Sequence, residues 1–346
     1  MPTEPSPEVL SALQLIRSGR FSEALPVLQE RTSSNGPTRK TDPFTLGLLA
    51  DTLQRVGHND RAEDIACRTL QINGCSSHVI ARCHFALGNV HRDRGNTAKA
   101  IEHLQIAATL TNSDLELSCW TQLRLMVVIA ELSGAQTAMA RIDDVKRALT
   151  RFGDARPFAA LHLWLVEVES MRGNLQSARQ HLRIADSLLS TVEDVWLRGY
   201  LAINSSAVHY YSAEIPEARR YAEIGTECAQ QSGHRATLRA ANANLGNIEL
   251  ALGNDVQAQQ CFEIALNCCE PGSVHQIAIL DNIAQIQLHR GDLDRCRAFV
   301  STLETLLEQN NYHKRRHYSS CAIGQWIAHR KIYRRNRLCR QRSPEL

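Results

Sequence analysis

A short sequence motif that begins with glycine and ends with a small residue recurs along this chain every 38 to 40 positions. Its glycines occupy seven positions: Gly19, Gly57, Gly95, Gly134, Gly173, Gly253 and Gly291. A further copy, AEIPEA, has Ala213 in place of glycine. The eight copies close on Ala24, Ala62, Ala100, Ala138, Ala178, Ala218, Ala258 and Cys296. Self-similarity at a fixed period of this length predicts an array of stacked repeats, here eight.

Each copy is predicted to contain two antiparallel helices. The residue four positions after every closing residue is apolar, and the residue three positions beyond that is apolar in five copies of eight. This spacing places side chains on one face of a helix. In the third copy, we expect Gly95 to end the first helix in the left-handed conformation, and Asn96 or Thr97 to cap the second. Ala100 is expected where the two helix backbones cross closely.

This pattern resembles the tetratricopeptide repeat (TPR). The third copy has Leu87-Gly88, Gly95, Ala100, Leu104 and Ala107, and the seventh has Leu245-Gly246, Gly253, Ala258, Phe262 and Ala265. Both match the family skeleton LG…G…A…F/L…A. The long period is similar to that of the repeat region in bacterial signal-responsive transcription regulators of the MalT type. The resemblance implies an all-α, right-handed superhelical solenoid of about eight helix pairs over residues 8–310.

The segments outside the repeats have a different composition. Residues 1–7 are predicted to be a disordered N-terminus, 311–330 a capping helix and 331–346 a disordered basic tail. From Gln309 onward there are ten Lys or Arg residues and one acidic residue, so this end carries +9 while the rest of the chain carries −6. Its possible anion-binding residues are Arg330, Lys331, Arg334, Arg335, Arg337, Arg340 and Arg342.

A stack of helix pairs presents a long concave surface, where such proteins bind other chains. The TPR resemblance implies that this surface holds Asp51, Gln54, Phe85, Asn89, Arg92, Arg124, Glu131, Glu167, Tyr200, Tyr210, Asn247, Asp281 and Gln285. The set mixes both charges, amides and aromatic rings, and it selects no particular ligand. The TPR subtype that clamps a peptide carboxylate has a basic residue where this chain has Phe85 and Ala243, so that specificity is not expected.

The motifs of common catalytic and metal sites are missing from the sequence. It contains no Gly-Lys pair, which excludes the phosphate-binding loop, and no GxGxxG, GxSxG, HExxH or CxxC. His313, His317 and Cys321 share one face of a predicted helix, but a straight helix separates the outer two by about 12 Å, too far for one ion. We therefore expect no enzymatic activity, no cofactor and no metal.

Three functional hypotheses remain. The first is a protein-interaction module of bacterial signalling that binds a protein or peptide partner on its concave face. The second is a nucleic-acid-binding protein that uses the Arg-rich tail, which we do not favour, and the third is the detached sensor arm of a transcription regulator. No apolar run reaches the roughly 18–20 residues of a membrane span, and the N-terminus lacks the pattern of a secretory signal. A cytoplasmic location with reduced cysteines is therefore expected.

Overall fold

The structure, a computed structural model, describes residues 5–33, 42–111 and 114–309. Within these ranges the chain folds into seventeen α-helices and contains no β-strand. Packing between the helices divides the chain into two compact units, the first ending at Ser273 and the second beginning at Val274. The predicted capping helix and basic tail lie outside the described residues.

The first unit consists of seven helix pairs that follow the repeats. The first four pairs are α1 (Pro7–Arg17) with α2 (Phe21–Ser33), α3 (Pro43–Arg55) with α4 (Asn59–Leu70), α5 (Ser77–Asp93) with α6 (Thr97–Leu110), and α7 (Leu115–Ser133) with the split helix α8 (Ala135–Met139) and α9 (Ile142–Phe152). The last three are α10 (Ala155–Met171) with α11 (Leu175–Leu189), α12 (Val195–Tyr211) with α13 (Ile215–Ser232), and α14 (Arg235–Ala251) with α15 (Asp255–Asn267). The second unit contains α16 (Val274–His289) and α17 (Leu293–Gln309). The prediction of eight helix pairs is confirmed.

The turn inside each pair contains a residue with positive φ. Gly95 has φ +74°; its N–H donates to the carbonyl of Arg92 at 2.9 Å, and the next N–H donates to the carbonyl of His91 at 2.8 Å. All seven repeat glycines have positive φ. In the sixth copy Ala213 adopts φ +58°, and it is the one non-glycine residue with positive φ in the described ranges. A left-handed conformation costs an alanine roughly 1–2 kcal/mol.

The closing residues of the eight copies are all buried, and the seven alanines have no exposed surface. In the third copy, a Cβ added to Gly88 would lie 2.7 Å from Cγ of Leu104 and 3.3 Å from the carbonyl oxygen of Ala100. Helices α5 and α6 therefore approach each other at backbone distance, and a larger residue would overpack this crossing.

The fourth copy departs from the predicted continuous second helix. Its helix is broken between α8 and α9, at Ala140 and Arg141. This copy has one residue fewer between its glycine and its closing alanine than the other glycine-containing copies. As a result Gly134 is itself the N-cap of α8, with φ 88° and ψ 156°, and the short helix ends after five residues.

The first two helix pairs also pack against later pairs of the same unit. The N–H of Val195 donates to the carbonyl of Ser18 at 2.9 Å, and the ring of Phe21 lies edge-on to Trp196 with centroids 6.0 Å apart. Further along, Nη1 of Arg235 donates to the carbonyl of Gly57 at 3.1 Å. An open solenoid has contacts between neighbouring repeats only. The first unit instead closes on itself, and its inner helix faces surround a recess.

Candidate functional site

The recess, which we call the central groove, has two groups of lining side chains. The aromatic cluster comprises Phe21, Trp120, Trp196 and His234. The charged cluster comprises Arg55, Arg92, Asp93, Arg124, Glu131, Glu167, Tyr200 and Arg239. Together they come from α2, α3, α5, α7, α10, α12 and α14, so the groove exists only when the repeats are stacked.

The aromatic cluster is held together by ring packing around Trp196. The centroid of its ring lies 5.7 Å from Trp120 and 5.2 Å from His234, and its Nε1–H donates to Oγ1 of Thr237 at 3.0 Å. The guanidinium of Arg55 stacks over the same ring at 5.6 Å. A small cavity of about 50 Å³, partly open to solvent, is lined by Phe21, Arg55, Trp120 and Trp196. The cluster therefore offers aromatic faces beside a cation.

Burial beside the aromatic cluster shifts the pKa values of two residues. Desolvation raises the pKa of the Asp194 carboxyl to about 7, although that carboxylate caps α12 by accepting the N–H of Leu197 at 2.9 Å. Desolvation, followed by the charges of Arg55 and Arg124, lowers the pKa of His234 well below its usual value. The imidazole of His234 is therefore neutral at physiological pH.

Two pairs of side chains cross between helices in the charged cluster. The guanidinium of Arg92 donates to both carboxylate oxygens of Glu131, with N–O distances from 2.5 to 3.1 Å. Although desolvation opposes it, this carboxylate raises the pKa of Arg92. The hydroxyl of Tyr200 donates to Oε1 of Glu167 at 2.6 Å. Desolvation raises the pKa values of both Glu167 and Tyr200, even though Glu167 is exposed to water. The charged cluster is therefore accessible to water, although it lies deep in the central groove.

The structure brings together five of the residues predicted for the concave face: Arg92, Arg124, Glu131, Glu167 and Tyr200. Gln54 lies beside them, because its amide donates to Asp93 at 2.8 Å. Asp51 is buried and binds Nε of Arg55 at 3.2 Å.

The other predicted positions are not part of the charged cluster. Phe85 and Asn89 are buried along α5, where the Asn89 amide donates to the carbonyl of Phe85 at 3.0 Å, and Phe85 also lines the cavity beside the aromatic cluster. The ring of Tyr210 packs beside the cluster that contains Ala218, and Asn247 is partly exposed on α14. Two more, Asp281 and Gln285, lie on α16 in the second unit, where the Gln285 amide donates to Asp281 at 2.9 Å.

Several groove residues were missed because their position depends on closure of the unit. Arg55, Trp196 and His234 come together when the first pairs meet α12 and α14, and no pattern within one repeat contains that contact. Arg239 was missed as well, because it lies about 80° around α14 from Asn247, the position on that helix that the family pattern selected.

Two histidine pairs occur at equivalent places in the third and fifth copies. The Nδ1 atoms of His84 and His103 are 2.9 Å apart, and those of His162 and His181 are also 2.9 Å apart. At this distance one nitrogen must be protonated and the other must accept. Desolvation and then the partner's charge lower the pKa of His162 to about 4. Each pair therefore disfavours double protonation.

Other chemistry is sparse in the part of the chain that the structure describes. No group of three or more His, Cys, Asp or Glu side chains there is arranged to hold a metal ion. The cysteines in these ranges are free thiols, and desolvation raises the pKa values of Cys83 and Cys119 to about 12, which makes them poor nucleophiles. None of the described helices has the length and apolar character needed to cross a membrane. The proposed tail residues and the His313–Cys321 segment lie outside the described ranges.

Comparison with known proteins gives a short family match. Residues 81–105, which cover most of α5 and α6, match the sequence model of the tetratricopeptide repeat. No curated protein matches the sequence. No enzyme family is indicated.

Solved structures match over most of the chain. A Rap protein complexed with competence and sporulation factor superposes with a TM-score of 0.57 at 14% identity, over 97% of this chain and 98% of that chain. NprR in complex with its cognate peptide NprX gives a TM-score of 0.56 at 9% identity, over 94% and 97%. A chain of the APC/C hetero-tetramer Cut9-Hcn1 gives a TM-score of 0.58 at 15% identity. That match covers 87% of this chain and 55% of the length of that chain. These likenesses concern the fold, and they confirm the predicted all-helical, TPR-like solenoid.

Proposed function

We propose that this chain is a non-enzymatic interaction module whose central groove binds a peptide or an extended segment of a partner protein. The observation that supports this function is the convergence of polar, charged and aromatic side chains from seven helices on one recess that water reaches. Backbone groups inside the helices are already hydrogen-bonded to one another. The groove side chains are therefore the groups that contact a bound chain.

The structural neighbours support a peptide as the occupant. Two of the similar structures are complexes with competence and sporulation factor and with the peptide NprX, and this chain spans nearly the whole length of each. At 14% and 9% identity the likeness concerns architecture, so peptide binding is our proposal for this chain. An architecture that closes around a groove suits a short extended ligand, because many side chains reach it from several sides.

We further propose that the module acts in bacterial signal transduction or transcription regulation, as a sensor or regulatory unit in the cytoplasm. The long repeat period and its similarity to MalT-type regulators support this context. Nucleic-acid binding through the basic tail has no support in the described residues, and we rank it below peptide binding.

Site-specific photo-crosslinking tests where the partner binds. A photoreactive residue replaces Glu131, in the charged cluster, or Gln180, which is exposed on α11. Each full-length protein is incubated with a bacterial lysate and its peptide fraction, irradiated, and analysed by mass spectrometry. We expect a defined peptide or protein to be crosslinked from position 131 and not from position 180. Equal capture from both positions, or capture from position 180 alone, would contradict groove binding.

A further inference from the structure

Two guanidinium groups of the central groove differ from the other arginines there. Arg124 lies on α7 between Trp120 of the aromatic cluster and Glu131 of the charged cluster, one turn from the first and two turns from the second. Arg239 lies on α14, one turn beyond Arg235. Both side chains are partly exposed, so both are accessible from the groove.

The neighbouring arginines are all engaged. Arg55 binds Asp51 at 3.2 Å, and Arg92 binds Glu131. Arg235 donates to four backbone carbonyls, at distances from 3.0 to 3.4 Å. In the described ranges, by contrast, neither Arg124 nor Arg239 makes a hydrogen bond or an ion pair. Five N–H donors on each side chain are therefore available to a ligand.

These two cations act on the same part of the groove. The charge of each lowers the pKa of His234, after the larger effect of desolvation. Desolvation raises the pKa of Glu167, whose carboxyl accepts from Tyr200, and the charge of Arg239 offsets part of this increase. Desolvation, followed by the charges of Arg92 and Arg55, lowers the pKa of Arg124 to about 10. Arg124 remains charged at physiological pH, and the surrounding protein has removed much of its hydration. A partly desolvated cation gains strongly from a charge-assisted hydrogen bond with an anion.

Acidic side chains in the groove restrict the kind of anion. Glu131 and Glu167 lie in the same cluster as the two free guanidinium groups. A polyanion such as nucleic acid carries a charge on every phosphate and would be repelled by these carboxylates. One or two isolated carboxylates on an otherwise uncharged chain meet much less of this repulsion when they reach Arg124 and Arg239.

We propose that Arg124 and Arg239 bind carboxylate side chains of the peptide ligand, so that the groove selects acidic peptides. This inference rests on the proposed peptide-binding function and adds the chemistry of the ligand. The site is distinct from the TPR carboxylate clamp, because its cations are at positions 124 and 239, whereas Phe85 and Ala243 occupy the clamp positions.

Peptide pools that differ only in charge test this selectivity. We would use octapeptides with blocked ends, in which two positions, in every arrangement, are Glu, Gln or Lys and the remaining positions are mixtures of uncharged residues. The full-length protein is immobilised, and the retained peptides are quantified by mass spectrometry. We expect the Glu pool to be enriched about tenfold over the isosteric Gln pool, since the two differ by charge-assisted hydrogen bonds.

Arginine variants assign the effect to the two side chains. Arg124→Gln and Arg239→Gln are each expected to remove most of the Glu enrichment, while Arg124→Lys retains part of it. Arg183→Gln is the matched control, because Arg183 is exposed on α11 and has no ion pair in the described ranges. Circular dichroism should show unchanged helix content in all four variants, because none loses a partner inside the protein.

The outcomes separate this inference from the proposed function. Glu enrichment that the two groove variants abolish and the control retains supports the inference. Equal retention of the Glu and Gln pools, or preference for Lys, overturns acidic selectivity and leaves peptide binding intact. Glu enrichment that survives both groove variants overturns the assignment to Arg124 and Arg239. Displacement of the Glu pool by a single-stranded oligonucleotide at equal concentration overturns the selectivity for peptide carboxylates over polyanions. Retention of no pool at all, in a protein with normal helix content, overturns the inference and counts against peptide binding as well.

Discussion

Closure of the first unit can be tested with one substitution made at two glycines. Gly19 and Gly173 have φ angles of +72° and +75°, so their backbone conformations are closely matched. Replacing either with alanine costs roughly 1–2 kcal/mol for the left-handed conformation. This contribution is common to both variants, and a difference between them must come from the surroundings.

The surroundings differ sharply. No atom lies within 4 Å of a Cβ added to Gly173, whereas at Gly19 the added atom would lie 2.5 Å from the backbone nitrogen of Trp196. A backbone atom cannot rotate away, so α1 and α2 must shift and the hydrogen bond from Val195 to Ser18 must lengthen. Overpacking of this kind costs roughly 1–3 kcal/mol. We therefore expect Gly19→Ala to lose about 2–5 kcal/mol of unfolding free energy and Gly173→Ala about 1–2 kcal/mol.

Equilibrium unfolding in urea measures both losses. Far-UV circular dichroism reports the helices, and tryptophan fluorescence includes the signal of Trp196 at the closure. The Gly19→Ala variant should unfold at lower urea than Gly173→Ala by both probes. Equal midpoints would refute the close approach of the first helix pair to Trp196, and with it the closed groove.

Three further predictions concern stability. Ala213→Gly should raise the free energy of unfolding by about 0.5–1 kcal/mol, because glycine relieves the strain at φ +58° but loses more chain entropy on folding; an unchanged urea midpoint would contradict that strain. Ala100→Leu should lower the free energy of unfolding by about 1–3 kcal/mol, because it overpacks the buried crossing of α5 and α6. Ala98→Leu, on the exposed face of α6, should lower it little. Equal losses in the two variants would mean that the crossing is not tight. Lowering the pH from about 7 to 5 should cost about 1–2 kcal/mol through His162. Its pKa is about 4 when folded and about 6.5 when unfolded, so the unfolded chain binds more protons and the stabilisation present at neutral pH is lost as the pH falls. The variant His162→Gln should lose less stability than the parent in urea titrations at the two pH values, and an identical loss would exclude this histidine as the cause.

The helix pairs could be predicted from the sequence because they depend on local rules. A glycine in the left-handed conformation ends a helix wherever it stands, and Gly95 does so independently of the other repeats. A small residue such as Ala100 is required wherever two helices cross at backbone distance. The break in the second helix of the fourth copy was missed, although the shorter linker after Gly134 was visible in the sequence.

The groove was predicted less completely than the repeats. Arg92, Glu131 and Tyr200 were predicted for the concave face from the repeat pattern, and they lie together in the charged cluster. The stacking of Arg55 over Trp196 and the packing of Phe21 against the same ring were missed, because these contacts join segments about 140 and about 175 residues apart. Burial of Asn89 within α5 was missed for a related reason: the family pattern gives the face of the helix but not how closely the neighbouring helix covers it.

The hydrogen bond between Ser18 and Val195 has a consequence for synthesis on the ribosome. The helix pair that contains Ser18 is among the first segments made, but its docking surface is translated much later. At about 5–20 residues per second, the delay between the two segments is roughly ten to forty seconds. During that time the ring of Phe21 lacks Trp196 and His234 as neighbours, so the nascent chain exposes an apolar surface that is covered in the finished protein. Molecular chaperones that bind exposed aromatic side chains are therefore expected to associate with this chain early in its translation and to dissociate once α14 has emerged.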